Sequence, residues 1–256
     1  MHNTVEPTMI RVYNGEHKGA TAFFRNRPFL DALFSTLHRG AKRPIKILVH
    51  ACSVGAEPYS LALWWLHRML PLYGCSAGID IAATDVDPEF LGFARRGIFP
   101  AGVLTGMTSE EQDWFVRDGE EICIPPAASQ LVRFLDPMSF VDGNPGEQFD
   151  AVLVMNALTY VTVEEQARTI SRLADYTRQV LALTAFHPDS IRDDLVRSGF
   201  VPCMESHREI HDHWGDRLSK HPVLPGSPDY SWRLPPYDDT LADYAYRYGA
   251  LFVKKN

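Results

Sequence analysis

Residues 47 to 63, Ile-Leu-Val-His-Ala-Cys-Ser-Val-Gly-Ala-Glu-Pro-Tyr-Ser-Leu-Ala-Leu, narrow the fold more than any other stretch of this chain. An apolar run rich in β-branched residues breaks at Ser53-Val54-Gly55, and a helical pattern follows at once. A strand, a tight turn and a helix start, in that order, are how an α/β domain presents backbone N–H groups to a nucleotide-type ligand. A second strand-like run ends at Asp85, thirty residues after Gly55, where a ribose-binding carboxylate is expected.

The rest of the chain alternates in the same way. Strands are predicted over 45–49, 79–84, 131–135, 151–155 and 179–185, with two more near 200–210 and 246–254. Helices are predicted over 28–37, from Glu57 through Met69, from Asp87 to Arg96, and over 109–116, 163–176 and 190–197. Asp87 before Pro88 makes an N-cap and first-turn pair, and Gly97 a C-terminal stop. Strands alternating with helices, and paired only at the end, imply a mostly parallel seven-stranded sheet with an antiparallel terminal pair. Residues 213–239, rich in Pro, Trp and Tyr, read as an insertion over the active site.

Composition excludes several classes. At 256 residues and 45% hydrophobic, the chain can bury a large core. A net charge of -7 opposes nonspecific binding to nucleic acid or to an anionic membrane. Cys52, Cys75, Cys123 and Cys203 lie far apart with no C-x-x-C, which suits reduced thiols. No signal peptide is visible, and the most apolar helix, around Leu61 to Leu70, is too short to span a bilayer. A cytoplasmic protein is expected.

Four ordered segments carry a resemblance to class I S-adenosylmethionine (SAM) methyltransferases, and more narrowly to the chemotaxis-receptor (CheR-type) family. They are Thr21-Ala22-Phe23-Phe24-Arg25; Ala51 through Ser60; Ala83-Thr84-Asp85-Val86-Asp87 with Ala94-Arg95; and Phe149-Asp150 through Asn156 to Tyr160. The resemblance covers roughly residues 19 to 185. It implies a Rossmann-like fold, with residues 1–40 contributing to the cofactor site and 41–256 forming the methyltransferase domain. Three departures stand out. Residues 1–20 leave no room for the family's N-terminal helical domain. The family's Arg-Asn pair is Met155-Asn156. The region beyond residue 187 is unlike the family's C-terminal part.

The resemblance implies SAM as cofactor, with contacts from Thr21, Arg25, Ser53, Gly55, Glu57, Asp85, Asp136 and Asn156. Glu57 opens a helix, where a carboxylate is stabilised by the dipole whatever its function, and by resemblance it meets the cofactor's amino group. Asp85 is read as the ribose ligand and Asp87 as a cap. Asp136 lies near the adenine by resemblance, although Pro137 next to it also suits a turn. Arg25 can grip a carboxylate bidentately, or shield apolar residues with its stem. Tyr160 either faces the acceptor or is a buried, hydrogen-bonded tyrosine. His187 is a candidate base on position alone.

His207, His211 and His213 read as one face of a strand, and no acidic or cysteine motif completes a metal site with them. Trp214, Tyr230 and Trp232 line an acceptor pocket or fill the insertion. The expected function is O-methylation of a small-molecule hydroxyl or carboxylate, on a sugar or natural-product intermediate, with the histidine-rich C-terminal region offering a base for a hydroxyl acceptor. The alternatives are a protein-glutamate methyltransferase of the chemotaxis type and a SAM-binding module without catalysis.

Overall fold

The computed structural model describes residues 8–15, 17–39, 43–73, 78–158, 161–184, 188–219 and 236–255. The first elements are a hairpin of β1 (Ile10–Tyr13) and β2 (Lys18–Thr21), then α1 (Arg27–His38) and β3 (Ile45–His50). Helix α2 (Ala56–Trp64) runs on through a π-helical turn, Trp65–Met69, and is followed by β4 (Ile79–Ala83) and α3 (Pro88–Arg96). Three short strands, β5 (Ile98–Pro100), β6 (Val116–Asp118) and β7 (Glu121–Cys123), make a small antiparallel sheet in the order β5-β7-β6. The remainder is β8 (Val132–Phe134), β9 (Phe149–Val154), α4 (Val163–Asp175), β10 (Thr177–Leu183), α5 (Pro188–Arg197), β11 (Phe200–Pro202), α6 (His207–Ser219) and β12 (Leu251–Lys254).

The main sheet has seven strands in the order β11-β12-β10-β9-β3-β4-β8. Strands β10, β9, β3, β4 and β8 pair in parallel, and β12 runs antiparallel to both its neighbours, as expected for a Rossmann-like class I methyltransferase sheet. Alternation along the strands sorts the core into two layers. Ile45, Ile47 and Val49 of β3, with Ala151 and Leu153 of β9, face α1 and α2. Leu48, Phe149, Val152 and Val154 face α4 and α5 on the other side. Burial of both faces explains why β9 from Ala151 onward reads as an unbroken apolar run rather than an alternating one.

From β3 the chain goes to β4 and β8 on one side, then returns to β9 on the other. The strand order therefore reverses at β3, and the crevice beyond the carboxyl ends of β3, β4 and β9 is where open α/β sheets bind ligands. At the opposite end, Asp150 accepts from Arg43 and from the Lys46 N–H (2.9 Å), tying β9 to β3. The Phe149-Asp150 pair thus holds strands together and is remote from the crevice.

Three expectations need correction. The helix predicted over 109–116 is a single turn, Ser109–Gln112, and Val116 already belongs to β6. The strand predicted near 200–210 stops at Pro202, and His207 and His211 lie on α6, one turn apart, with both rings buried. The strand predicted near 246–254 starts only at Leu251, after a helical turn at Tyr244–Arg247. Helical spacing was available in this region, since His207, Ile210, His211 and Trp214 are all buried. Most of the insertion predicted at 213–239, with Tyr230 and Trp232, lies outside the described residues.

Candidate cofactor site

The turn after β3 is built from residues in the left-handed region. Ala51, Ser53 and Gly55 have φ of 51°, 52° and 91°, and Asn156, just past β9, has 59°. Non-glycine residues rarely adopt these angles, and such strain collects where a fold must aim groups at a ligand. Gly55 has two further reasons to be glycine. It is the N-cap of α2, and a Cβ there would lie 2.9 Å from the Ala94 Cβ of α3. Glycine at this position lets α2 and α3 close together behind the turn.

Asp85 follows β4 and is buried. Its Oδ2 accepts from the Ser53 N–H at 2.8 Å and its Oδ1 from the Asp87 N–H at 3.0 Å. Each oxygen keeps a second lone-pair direction. Burial raises the Asp85 pKa, and the Asp87 and Ser53 amides counter it. Asp87 works differently. Its Oδ1 caps α3 by accepting from Glu89 N–H (2.8 Å) and Phe90 N–H (3.1 Å). Its Oδ2 takes Asn14 Nδ2 and His17 Nδ1, which latches the β1–β2 hairpin down. Although burial opposes ionisation, the bonds from Phe90, His17, Asn14 and Glu89 hold the Asp87 pKa below the usual range. The division of labour expected between these two acids is reproduced for the cap.

The latched hairpin forms a wall. His17, Gly19 and Ala20 face Ala51, Ser53, Asp85, Val86, Phe140 and Asn156 across a cavity of about 370 Å³. A Cβ on Gly19 would stand 2.4 Å from Ser53 Oγ, so only glycine lets the hairpin approach this closely. Met155 and Asn156 connect this cavity to a second, of about 30 Å³, lined by Thr21, Arg25, Glu57, Ser60 and Trp214. The backbone around Arg25 is fixed to α2, since the Phe24 N–H donates to Ser60 Oγ at 2.9 Å. Asn26 caps α1 by accepting from the Phe29 N–H, and its Nδ2 donates to the Ile210 carbonyl of α6 at 2.9 Å.

Glu57 opens on to the small compartment but is otherwise packed in protein. Burial pushes its pKa up to about 7, against the pull of the nearby Arg25 charge. The Arg25 guanidinium lies 5.3 Å from the Trp214 ring centroid. Among the described residues, Ser53 Oγ, Asn156 Nδ2 and Trp214 Nε1 are buried with no hydrogen-bond partner. Unmatched atoms also occur away from the cleft, at His38, His50 and Thr169, but Ser53, Asn156 and Trp214 line it and are within reach of a ligand.

The sequence-predicted residues Thr21, Arg25, Ser53, Glu57, Asp85 and Asn156 therefore line one two-chambered cleft. Asp136 does not join them: its side chain is exposed, and its carbonyl accepts from Thr84 Oγ1 at 2.8 Å. Tyr160 and His187 lie outside the described residues. Sequence reasoning missed the hairpin residues His17, Gly19 and Ala20 and the apolar walls Val86 and Phe140. The signals were slight, although Val86 is an apolar side chain left half exposed beside a buried acid.

The histidines are structural. His207 Nε2 meets the Ala245 carbonyl at 2.9 Å and Nδ1 meets Tyr237 Oη at 2.9 Å, while His211 packs edge-on against Tyr248. Burial lowers the His207 pKa, so the ring is held neutral in the role of a pin between α6 and residues 237–248. Among the described residues, no group of three or more His, Cys, Asp and Glu is arranged to hold a metal, and no helix is long and apolar enough to cross a membrane.

The family model described as "CheR methyltransferase, SAM binding domain" matches residues 19–195. The chain belongs to this family. Its cofactor is SAM, and every residue lining the cleft except His17 and Trp214 falls within the matched span. This CheR-family chain is 29% identical to the "Chemotaxis protein methyltransferase" of Listeria innocua over 62% of its length and 60% of that protein's. It is 28% identical to "Chemotaxis protein methyltransferase 2" of Pseudomonas aeruginosa over 70% of its length and 66% of that protein's. The chain thus spans less than two thirds of the length of these relatives. Among solved structures, the SAM-bound magnesium protoporphyrin IX methyltransferase of Synechocystis is 17% identical, with a TM-score of 0.43 over 68% of this chain and 69% of that one.

These names overturn the expectation of a small-molecule acceptor, hydroxyl or carboxylate, because the curated relatives are chemotaxis protein methyltransferases. The physical argument behind that expectation fails as well. It relied on a histidine-rich strand to supply a base, and His207 and His211 are instead spent on packing within a helix.

Proposed function

We propose that this chain is a SAM-dependent protein carboxyl methyltransferase of the chemotaxis type, esterifying a glutamate side chain of a receptor protein from the cytoplasm. The observation that carries the reading is the make-up of the small compartment. Its described lining offers the Arg25 cation and contains no histidine, and its one carboxylate, Glu57, is taken up by the cofactor's amino group. A carboxylate nucleophile is ionised at neutral pH and needs orientation rather than a base, whereas a hydroxyl needs a base. The names of the relatives agree with this acceptor.

The cleft fits the cofactor on its own evidence: buried polar atoms without partners, and two joined chambers of unequal size. When bound, SAM supplies a methyl group already activated by its sulfonium. Asp85 offers the free lone pairs of both oxygens to the ribose hydroxyls, each charge-assisted bond being worth on the order of 1.5–3 kcal/mol. Val86 and Phe140 give the large chamber apolar walls for a base. Glu57 and Asn156 in the small chamber match the amino and carboxylate ends of an amino acid. Arg25 steers and holds the acceptor carboxylate, and the family resemblance assigns Tyr160 to the acceptor side of the reaction. Residues 1–40 form part of the site through Thr21 and Arg25, and residues 41–256 form the methyltransferase domain.

The test is transfer of labelled methyl from SAM to receptor fragments carrying either glutamate or glutamine at the candidate positions. The expected product is an alkali-labile methyl ester on the glutamate fragment alone. Tight SAM binding with no labelled fragment would refute the reading in favour of a SAM-binding module without catalysis.

A further inference from the structure

We infer that Trp214 of α6 is a ligand-positioning residue, whose indole N–H, together with Arg25, holds a carboxylate in the small compartment. The inference rests on the SAM reading of the cleft but goes beyond it, since Trp214 lies past the end of the family match at residue 195. Trp214 is 5% exposed and lines the compartment, with its Nε1 buried and unmatched among the described residues. An indole nitrogen can only donate, so burying it unpaired costs stability that phenylalanine in the same place would not.

The indole is not loosely placed. Helix α6 is tied to the segment before α1 by the bond from Asn26 Nδ2 to the Ile210 carbonyl. On its other side, His207 pins it to Ala245 and Tyr237. The ring is therefore fixed beside the Arg25 guanidinium, 5.3 Å from its centroid. A second unmatched donor, Asn156 Nδ2, lines the same compartment.

With Glu57 assigned to the cofactor's amino group, the two unmatched N–H donors beside the Arg25 guanidinium suit a small group that only accepts hydrogen bonds and carries negative charge. A carboxylate meets both conditions. It has two sources in this reaction, the cofactor's own α-carboxylate and the acceptor side chain.

Trp214→Phe keeps the ring and removes the donor, and a matching melting temperature would verify its fold. Binding of SAM and of decarboxylated SAM is measured by calorimetry, and KM and kcat with the glutamate receptor fragment. If the cradle holds the cofactor, the variant loses roughly tenfold in SAM affinity and nothing in decarboxylated SAM affinity. If it holds the acceptor, both cofactor affinities stay and KM for the fragment rises roughly tenfold at constant kcat. Equal weakening of both cofactors, or no change in any readout, overturns the inference while leaving the SAM reading intact. Failure of the wild-type chain to bind SAM would remove both.

Discussion

Replacing Glu57 with glutamine is expected to make the ligand-free protein more stable, not less, above pH 7. Glu57 has an ordinary pKa of 4.5 when unfolded and one of about 7 in the fold, raised by burial. Between those values the folded state holds a proton that the unfolded chain has released, so its stability falls as pH rises through the window. At about 1.4 kcal/mol per unit, the shift corresponds to roughly 3 kcal/mol. That is an upper figure, because Glu57 opens on to a cavity whose water solvates part of the charge. The assay is urea unfolding of wild type and Glu57→Gln in parallel from pH 4 to pH 8, where other titrations cancel in the difference. The two should match near pH 4, and the variant should gain up to about 3 kcal/mol by pH 8. Saturating SAM should shrink the gap, since a cationic amino group beside the carboxylate favours its charged form. A variant equal to or weaker than wild type at pH 8 would show that Glu57 is already ionised at low cost, and the argument fails.

Asp85→Asn should weaken SAM binding by roughly tenfold to a hundredfold in calorimetry, because the amide nitrogen cannot accept from the amide N–H or ribose hydroxyl that the lost oxygen served. Unchanged affinity would end the ribose assignment. Gly55→Ala should lower unfolding stability by about 1–3 kcal/mol, from the left-handed φ and the 2.9 Å approach to Ala94. Part of that loss should return in Gly55→Ala/Ala94→Gly, and absence of any rescue would show that the approach to Ala94 is not the cause.

The strand-turn-helix at residues 47–63 and the Asp85/Asp87 pair were legible in the sequence because their determinants are local. Gly55 sits between a β-branched run and a helical one, and Asp87-Pro88 is a cap within two residues. The seven-stranded sheet followed from alternation. Strands β1, β2, β5, β6 and β7 did not, because three or four residues carry too little periodicity to register. Helix α6 was not legible because its histidines suited one face of a strand equally well, whereas His207 and His211 are core residues, and the polar atoms of His207 find partners in the distant segment 237–245. His17 and Gly19 escaped for a similar reason. Their importance depends on Asp87 and Ser53, far along the chain, and no local pattern announces such a contact.

The bond between Asn26 and Ile210 spans 184 positions of sequence. Arg25 emerges from the ribosome well before the wall it faces, Trp214 of α6. At typical synthesis rates of about 5–20 residues per second, roughly ten to forty seconds separate the two. During that interval the central strands can pair and the large chamber can form, but the small chamber has no far side. A nascent chain can therefore acquire a nucleoside-sized hollow well before the compartment beside Arg25 exists. The reactive end of the cleft cannot close until α6 has been made.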